Sequence, residues 1–126
     1  MDESTVKRVS LLVSWLCLVG VSFAQELRPK EALLCPPATL ASLKLELTQK
    51  PARELDFFAS WCASCKQKLI DAPEGTLFIA SFDESEAIET VVKSLRGDKG
   101  LRCLWDKDHE IVHHYGVKSL PARRAL

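Results

Sequence analysis

Apolar positions along the chain change their spacing several times, and each change predicts an element. Residues 54–59 are apolar and aromatic toward their end, through Leu55, Phe57 and Phe58, and read as a buried strand. Residues 66–70 read as a helix that stops before Pro73, because a proline restricts the residue in front of it. Gly75 marks a turn, and residues 76–82 (TLFIASF) form a second apolar strand. Residues 83–96 are the clearest helix, with Ile88, Val91, Val92 and Leu95 on one face. Asp83 is placed to cap it, with Glu86 three residues later as in a capping box, and Gly97 to stop it. Residues 101–105 read as a third strand and residues 108–115 as a short helix ended by Gly116.

Upstream the pattern is weaker. Residues 39–48 fit a helical stripe through Leu40, Leu43 and Leu47, and also a strand alternation through Leu43, Leu45 and Leu47; the helix is favoured. Residues 25–37 have little periodicity, and Pro29, Pro36 and Pro37 argue against a regular element. The order strand, helix, strand, helix, strand, helix predicts an α/β fold of βαβ units with a mainly parallel sheet.

The first stretch differs from the rest. Lys7 and Arg8 precede an uncharged apolar run over residues 9–23, and Ser22 and Ala24 stand where a signal peptidase reads small residues. The run is shorter than the roughly 20 residues a membrane span needs. It predicts a signal peptide over residues 1–24 and an exported, periplasmic or otherwise extracytoplasmic protein, membrane-anchored if the signal stays uncleaved. Residues 25–51 then form a lead-in with a short helix, and residues 52–126 the main domain. The chain has 126 residues and a formal net charge of zero, which fits one domain and gives no basic stripe for a nucleic-acid partner.

Of the five cysteines, Cys17 leaves with the signal. Cys35, Cys62, Cys65 and Cys103 would remain in a compartment where disulfides persist. Four cysteines allow three pairings, and the two-residue gap makes Cys62 and Cys65 the natural redox couple. Between a strand and a helix, that spacing has a mechanical meaning. The strand end delivers Cys62 to solvent, and the first turn of the helix offers unpaired N–H groups that favour thiolate over thiol. A thiolate is the attacking species in disulfide exchange, and Cys65 one turn on is in reach to resolve the mixed disulfide. No metal and no organic cofactor is needed. Zinc sites also use this spacing, but they want a second ligand pair, for which Cys35, Cys103, His109, His113 and His114 are the donors available. Cys103 reads as a buried small hydrophobe. Cys35, before two prolines, reads as an exposed thiol able to pair with Cys103 or with a partner chain. The three histidines read as a solvated helix face.

The segment Asp56-Phe57-Phe58-Ala59-Ser60-Trp61-Cys62-Ala63-Ser64-Cys65-Lys66 resembles the active-site segment of the thioredoxin superfamily. Residues 105–121, from Trp105-Asp106-Lys107-Asp108 through Tyr115-Gly116-Val117-Lys118-Ser119-Leu120-Pro121, resemble its exported TlpA/ResA-like branch. The resemblance spans roughly residues 52 to 121 and implies a thioredoxin-like sheet flanked by helices. It implies Cys62 as the exposed nucleophile, Cys65 as the buried resolving cysteine and Trp61 as a cover over the site. It implies Asp56 as a buried acid that relays a proton to or from the resolving thiol. A desolvated carboxylate there would have a raised pKa, as general acid–base work requires. Pro121 matches a cis-proline that packs against the disulfide, and Leu120 the residue whose backbone pairs with a bound substrate chain.

The resemblance also implies elements after Pro121, an antiparallel hairpin and a last helix. Only Ala122-Arg123-Arg124-Ala125-Leu126 follows, with Arg123 and Arg124 where an apolar strand is expected. On this reading those elements are missing and the domain is incomplete. The expected function is a thiol–disulfide oxidoreductase that reduces protein disulfides outside the cytoplasm. Apocytochrome c cysteines are candidate substrates, and a membrane thiol donor would supply the electrons. The alternatives are a non-catalytic or degenerate thioredoxin-like binding module, and a metal-binding module built on the cysteine pair.

Overall fold

The structure, a computed structural model, describes residues 32–126. The signal peptide expected over residues 1–24, and Cys17 within it, lie outside the described residues.

Thr39 opens the first helix, α1 (Leu40–Gln49), through a capping box. Its hydroxyl accepts from the Ser42 N–H, and the Ser42 hydroxyl accepts from the Thr39 N–H. Strand β1 (Glu54–Phe58) follows, then a 3-10 turn (Ala63–Cys65) running into helix α2 (Lys66–Asp71). Strand β2 (Thr76–Ala80) is buried at every position, as a strand covered on both faces must be. Helix α3 (Ser85–Arg96), strand β3 (Cys103–Trp105) and helix α4 (Glu110–His114) complete the alternation, and strand β4 (Ala122–Ala125) ends it.

The sheet order is β3-β2-β1-β4, with β1, β2 and β3 parallel and β4 antiparallel to β1. Successive strand residues point to opposite faces, so each strand feeds two cores. Leu55, Phe57, Leu77 and Ile79 meet Leu43 of α1 and Ile111 and Val112 of α4. Phe58, Phe78 and Ala80 meet Leu69 of α2 and Ile88 and Val92 of α3, and all four described cysteines lie in that second core. This mixed α/β, thioredoxin-like arrangement is the one expected. Among the described residues, no helix is long and apolar enough to cross a membrane.

Three expectations need correction. Residues 122–125 form a strand, although two arginines stand there. Backbone pairing with β1 needs no apolar side chain, and each arginine finds partners. Arg124 donates to the carbonyls of Tyr115 and Gly116 at 3.0 and 3.3 Å, and Arg123 lies 3.5 Å from a Glu54 carboxylate oxygen. So the first strand expected after Pro121 is present.

Cys35 is not an exposed thiol. It is 1% exposed and disulfide-bonded to Cys103, which is itself more than a small hydrophobe. The Glu89 carboxylate draws the lead-in down onto α3, accepting from the Leu34 and Cys35 N–H groups at 2.9 and 3.1 Å. A bridge between Pro37 and Trp105 then continues the sheet beyond β3.

Asp83 does not cap α3. The helix starts two residues later, at Ser85, with Glu84 at the cap and no side-chain cap bond. The carboxylate that does serve a helix start is Asp106, 1% exposed, which accepts from the Ile111 and Val112 N–H groups at 3.0 and 2.9 Å.

Candidate active site

Strand β1 ends at Phe58, and the chain turns through Ser60 and Trp61 into Cys62. The Cys62 N–H donates to the Ala59 carbonyl and the Cys65 N–H to the Cys62 carbonyl, both at 3.1 Å. This tight turn brings the two cysteines together as a disulfide, with Cα atoms 5.4 Å apart. Cys65 is buried as expected, at 2% exposed, but Cys62 is not the exposed residue expected: the turn through Ser60 and Trp61 folds it into the core beside Cys65, at 5% exposed. The Ser64 hydroxyl lies 3.6 Å from the Cys62 sulfur, a donor in place for a thiolate formed on reduction. Nothing in the sequence marks Ser64 for this part except its position between the two cysteines. Lys66, the first residue of α2, is exposed.

Trp61 projects into solvent, 62% exposed, with its indole N–H fixed to the Phe82 carbonyl at 2.9 Å. Beside it lies an open groove of about 700 Å³, walled by Phe82, Trp105 and His109. Leu120 packs against both cores, including the one that holds the cysteine pair, and the Leu120–Pro121 peptide is cis, as the resemblance implies. His109, His113 and His114 are exposed.

Asp56 points to the same face of the sheet as Phe58, beneath α2, and is 7% exposed. It shares that site with Glu54, two residues earlier on β1. Lys68 from α2 lies 3.6 Å from Asp56 and 3.9 Å from Glu54. Arg123 from β4 lies 3.9 and 3.5 Å from the same two carboxylates. One oxygen of each acid is buried without a hydrogen-bond donor. Burial pushes the Asp56 pKa up and the adjacent Glu54 carboxylate adds to it, while Lys68 and Arg123 pull the other way without cancelling the rise. The elevation foreseen for a desolvated acid is therefore present. Glu54, Lys68 and Arg123, its charged neighbours, were not foreseen, because they come from three separate elements.

A raised carboxyl pKa means that the folded state binds the proton more tightly than the unfolded chain. Stability from this group is fully present below the unfolded value near 3.8 and is lost as pH rises through the higher folded value. Asp56→Asn is therefore expected to melt higher than the parent at neutral pH, with the gain vanishing below about pH 4. Thermal melts between about pH 3 and about pH 8 check this. A gain that persists unchanged in acid, or a loss at neutral pH, contradicts it.

Among the described residues, no three His, Cys, Asp or Glu side chains gather as metal ligands. Cys35 and Cys103, which a zinc site would draw on, are bonded to each other.

No family model and no curated protein matches the chain. Among solved structures it is similar to a secreted Mycobacterium tuberculosis disulfide oxidoreductase homologous to E. coli DsbE. That similarity is 22% identity over 56% of this chain and 57% of that one, with a TM-score of 0.47. It is also similar to MTB DsbF, described in mixed oxidized and reduced forms, at 26% identity over the same shares and a TM-score of 0.48. The chain thus spans little more than half the length of either structure.

Proposed function

We propose that this protein is a thiol–disulfide oxidoreductase that reduces protein disulfides outside the cytoplasm. The observation that carries the reading is the Cys62–Cys65 disulfide, closed where β1 turns into a helix, with a hydroxyl donor beside the first sulfur. In the reduced protein, the Cys62 thiolate attacks one sulfur of a substrate disulfide. A Cys62–substrate bond forms, and the substrate's other sulfur leaves as a thiolate. Cys65 then loses its proton and attacks the Cys62 sulfur, closing the intramolecular disulfide and releasing the second substrate thiolate. Two electrons pass to the substrate, whose two sulfurs take up protons.

Asp56, with its raised pKa, is suited to handle the Cys65 proton, and Trp61, Leu120 and Pro121 offer a surface for the substrate chain. The closed disulfide is the spent form of a reductant. An electron donor of the membrane thiol class would restore the dithiol, and apocytochrome c cysteines are a substrate of the right chemistry.

The test is reduction of insulin by the full chain with dithiothreitol as electron source, together with a Cys65→Ala trap in an extract of exported proteins. Turnover with trapped mixed disulfides is the expected result. Neither turnover nor a trapped partner would sink the proposal in favour of a non-catalytic module.

A further inference from the structure

The Asp83 carboxylate divides its two oxygens between two backbone amides. Oδ2 accepts from the Ser60 N–H, and Oδ1 accepts from the Glu84 N–H at 2.8 Å. Ser60 is the residue immediately before Trp61 and Cys62, so one side chain ties the turn that carries the redox pair to the loop after β2. That loop is gripped from two further sides. The Trp61 indole donates to the Phe82 carbonyl at 2.9 Å, and the Trp105 indole donates to the Asp83 carbonyl at 3.1 Å.

Trp105 is itself fixed. Its N–H donates to the Pro36 carbonyl and its carbonyl accepts from the Ala38 N–H, each at 2.8 Å. It ends β3, and Cys103 at the start of that strand is bonded to Cys35. The loop's backbone bears the mark of this bracing. Phe82 in that loop has φ 56°, and its ring stacks on that of His109, the residue before α4, with centroids 5.6 Å apart. Non-glycine residues keep such left-handed conformations when their surroundings impose them.

We propose that Asp83 is a positioning residue for the redox pair. Its carboxylate fixes the turn through Ser60, Trp61 and Cys62, and Trp105 holds Asp83 from the strand that the Cys35–Cys103 disulfide anchors. The proposal rests on the reading of Cys62 as the attacking thiol.

Its sign separates it from a simple charge effect. A bystander carboxylate near a thiolate disfavours the thiolate, so removing it would speed Cys62 at neutral pH. A positioning carboxylate does the reverse. Without it the turn loosens, the Ser64 hydroxyl loses its alignment on the Cys62 sulfur, and less thiolate is present. Asparagine keeps one acceptor oxygen of the two, so it should retain part of the effect.

The experiment is alkylation by iodoacetamide across a pH series of the full-length protein reduced at Cys62–Cys65 with Cys35–Cys103 still closed, with modification at Cys62, and its absence at Cys35 and Cys103, read by peptide mass spectrometry. Asp83→Ala is expected to slow Cys62 about tenfold at neutral pH and to displace the pH–rate profile upward by about one unit. Asp83→Asn should slow it about threefold. Trp105→Phe keeps the ring packing and removes only the N–H, and should slow it by about two- to threefold.

Circular dichroism melts confirm that each variant is folded. If Asp83→Ala does not fold, Asp83→Asn and Trp105→Phe decide. Asp83 variants that are folded and react as fast as the parent, or faster, overturn the proposal. A normal Trp105→Phe beside slowed Asp83 variants overturns the part assigned to Trp105. Because alkylation needs no protein substrate, a parent that reduces no insulin and traps no partner but shows these shifts would defeat the proposed function and leave this inference standing.

Discussion

Cys62→Ser should abolish disulfide reduction, while Cys65→Ala should complete the first step and stop with the substrate still attached. A serine hydroxyl stays protonated at neutral pH and is a poor attacking group on sulfur, so the loss for Cys62→Ser is expected to be about a thousandfold or more. Cys65 is nearly sealed within the core and faces the Cys62 sulfur, so its attack is intramolecular. Without it, the mixed disulfide on Cys62 has no internal route to release and accumulates.

The two variants are matched controls for each other. Both lose the same short disulfide loop, whose constraint on the unfolded chain is only about 1–2 kcal/mol. A difference between them therefore reports the separate roles of the two sulfurs. The measurement is insulin reduction alongside non-reducing electrophoresis of the trapped species. Equal trapping by both variants, or turnover surviving in Cys62→Ser, would remove Cys62 from the nucleophile's role.

The second large effect concerns stability. Changing both Cys35 and Cys103 to serine should cost about 4 kcal/mol, because their disulfide closes a loop spanning 68 residues and removes that much conformational freedom from the unfolded chain. For a domain of this size, the melting temperature should fall by roughly 15–30 °C. Two hydroxyls placed at sites 1% and 5% exposed add to the loss unless they find hydrogen-bond partners. The Glu89 clamp and the Pro37–Trp105 bridge keep some of the lead-in in place, so the variant should still melt cooperatively. Thermal melts of the parent and the double variant, each without reductant, give the comparison. A variant that melts within a few degrees of the parent would show that the lead-in is held by those contacts alone.

Much of this molecule follows from local pattern. The apolar run over residues 76–82 has one stable outcome, a strand buried on both faces, and the structure forms it at Thr76–Ala80. The stripe of Ile88, Val91, Val92 and Leu95 fixes α3, and the run ending in Phe57 and Phe58 fixes β1. The spacing of Cys62 and Cys65, set between that strand and a helix, singles out the two cysteines that the structure joins as a disulfide. Each of these signals lies within about a dozen residues, the range over which backbone periodicity acts.

What the tertiary structure decided involves partners far apart in the chain. Cys35 finds Cys103 because the lead-in continues the sheet beside β3, which no local spacing encodes. Asp83 has the sequence context of a helix cap, yet parallel pairing of β1 with β2 brings Ser60 beside it, and the carboxylate goes to that amide instead. Residues 122–125 look unfit for a strand by composition, but the open edge of β1 supplies hydrogen-bond partners to any backbone that can lie extended along it. The charges around Asp56 gather from β1, α2 and β4 for the same reason. Local periodicity and spacing were enough for the elements and for the pairing of Cys62 with Cys65. The neighbours of that pair were left to sheet topology, because contact across the fold depends on which strands pair rather than on which residues adjoin.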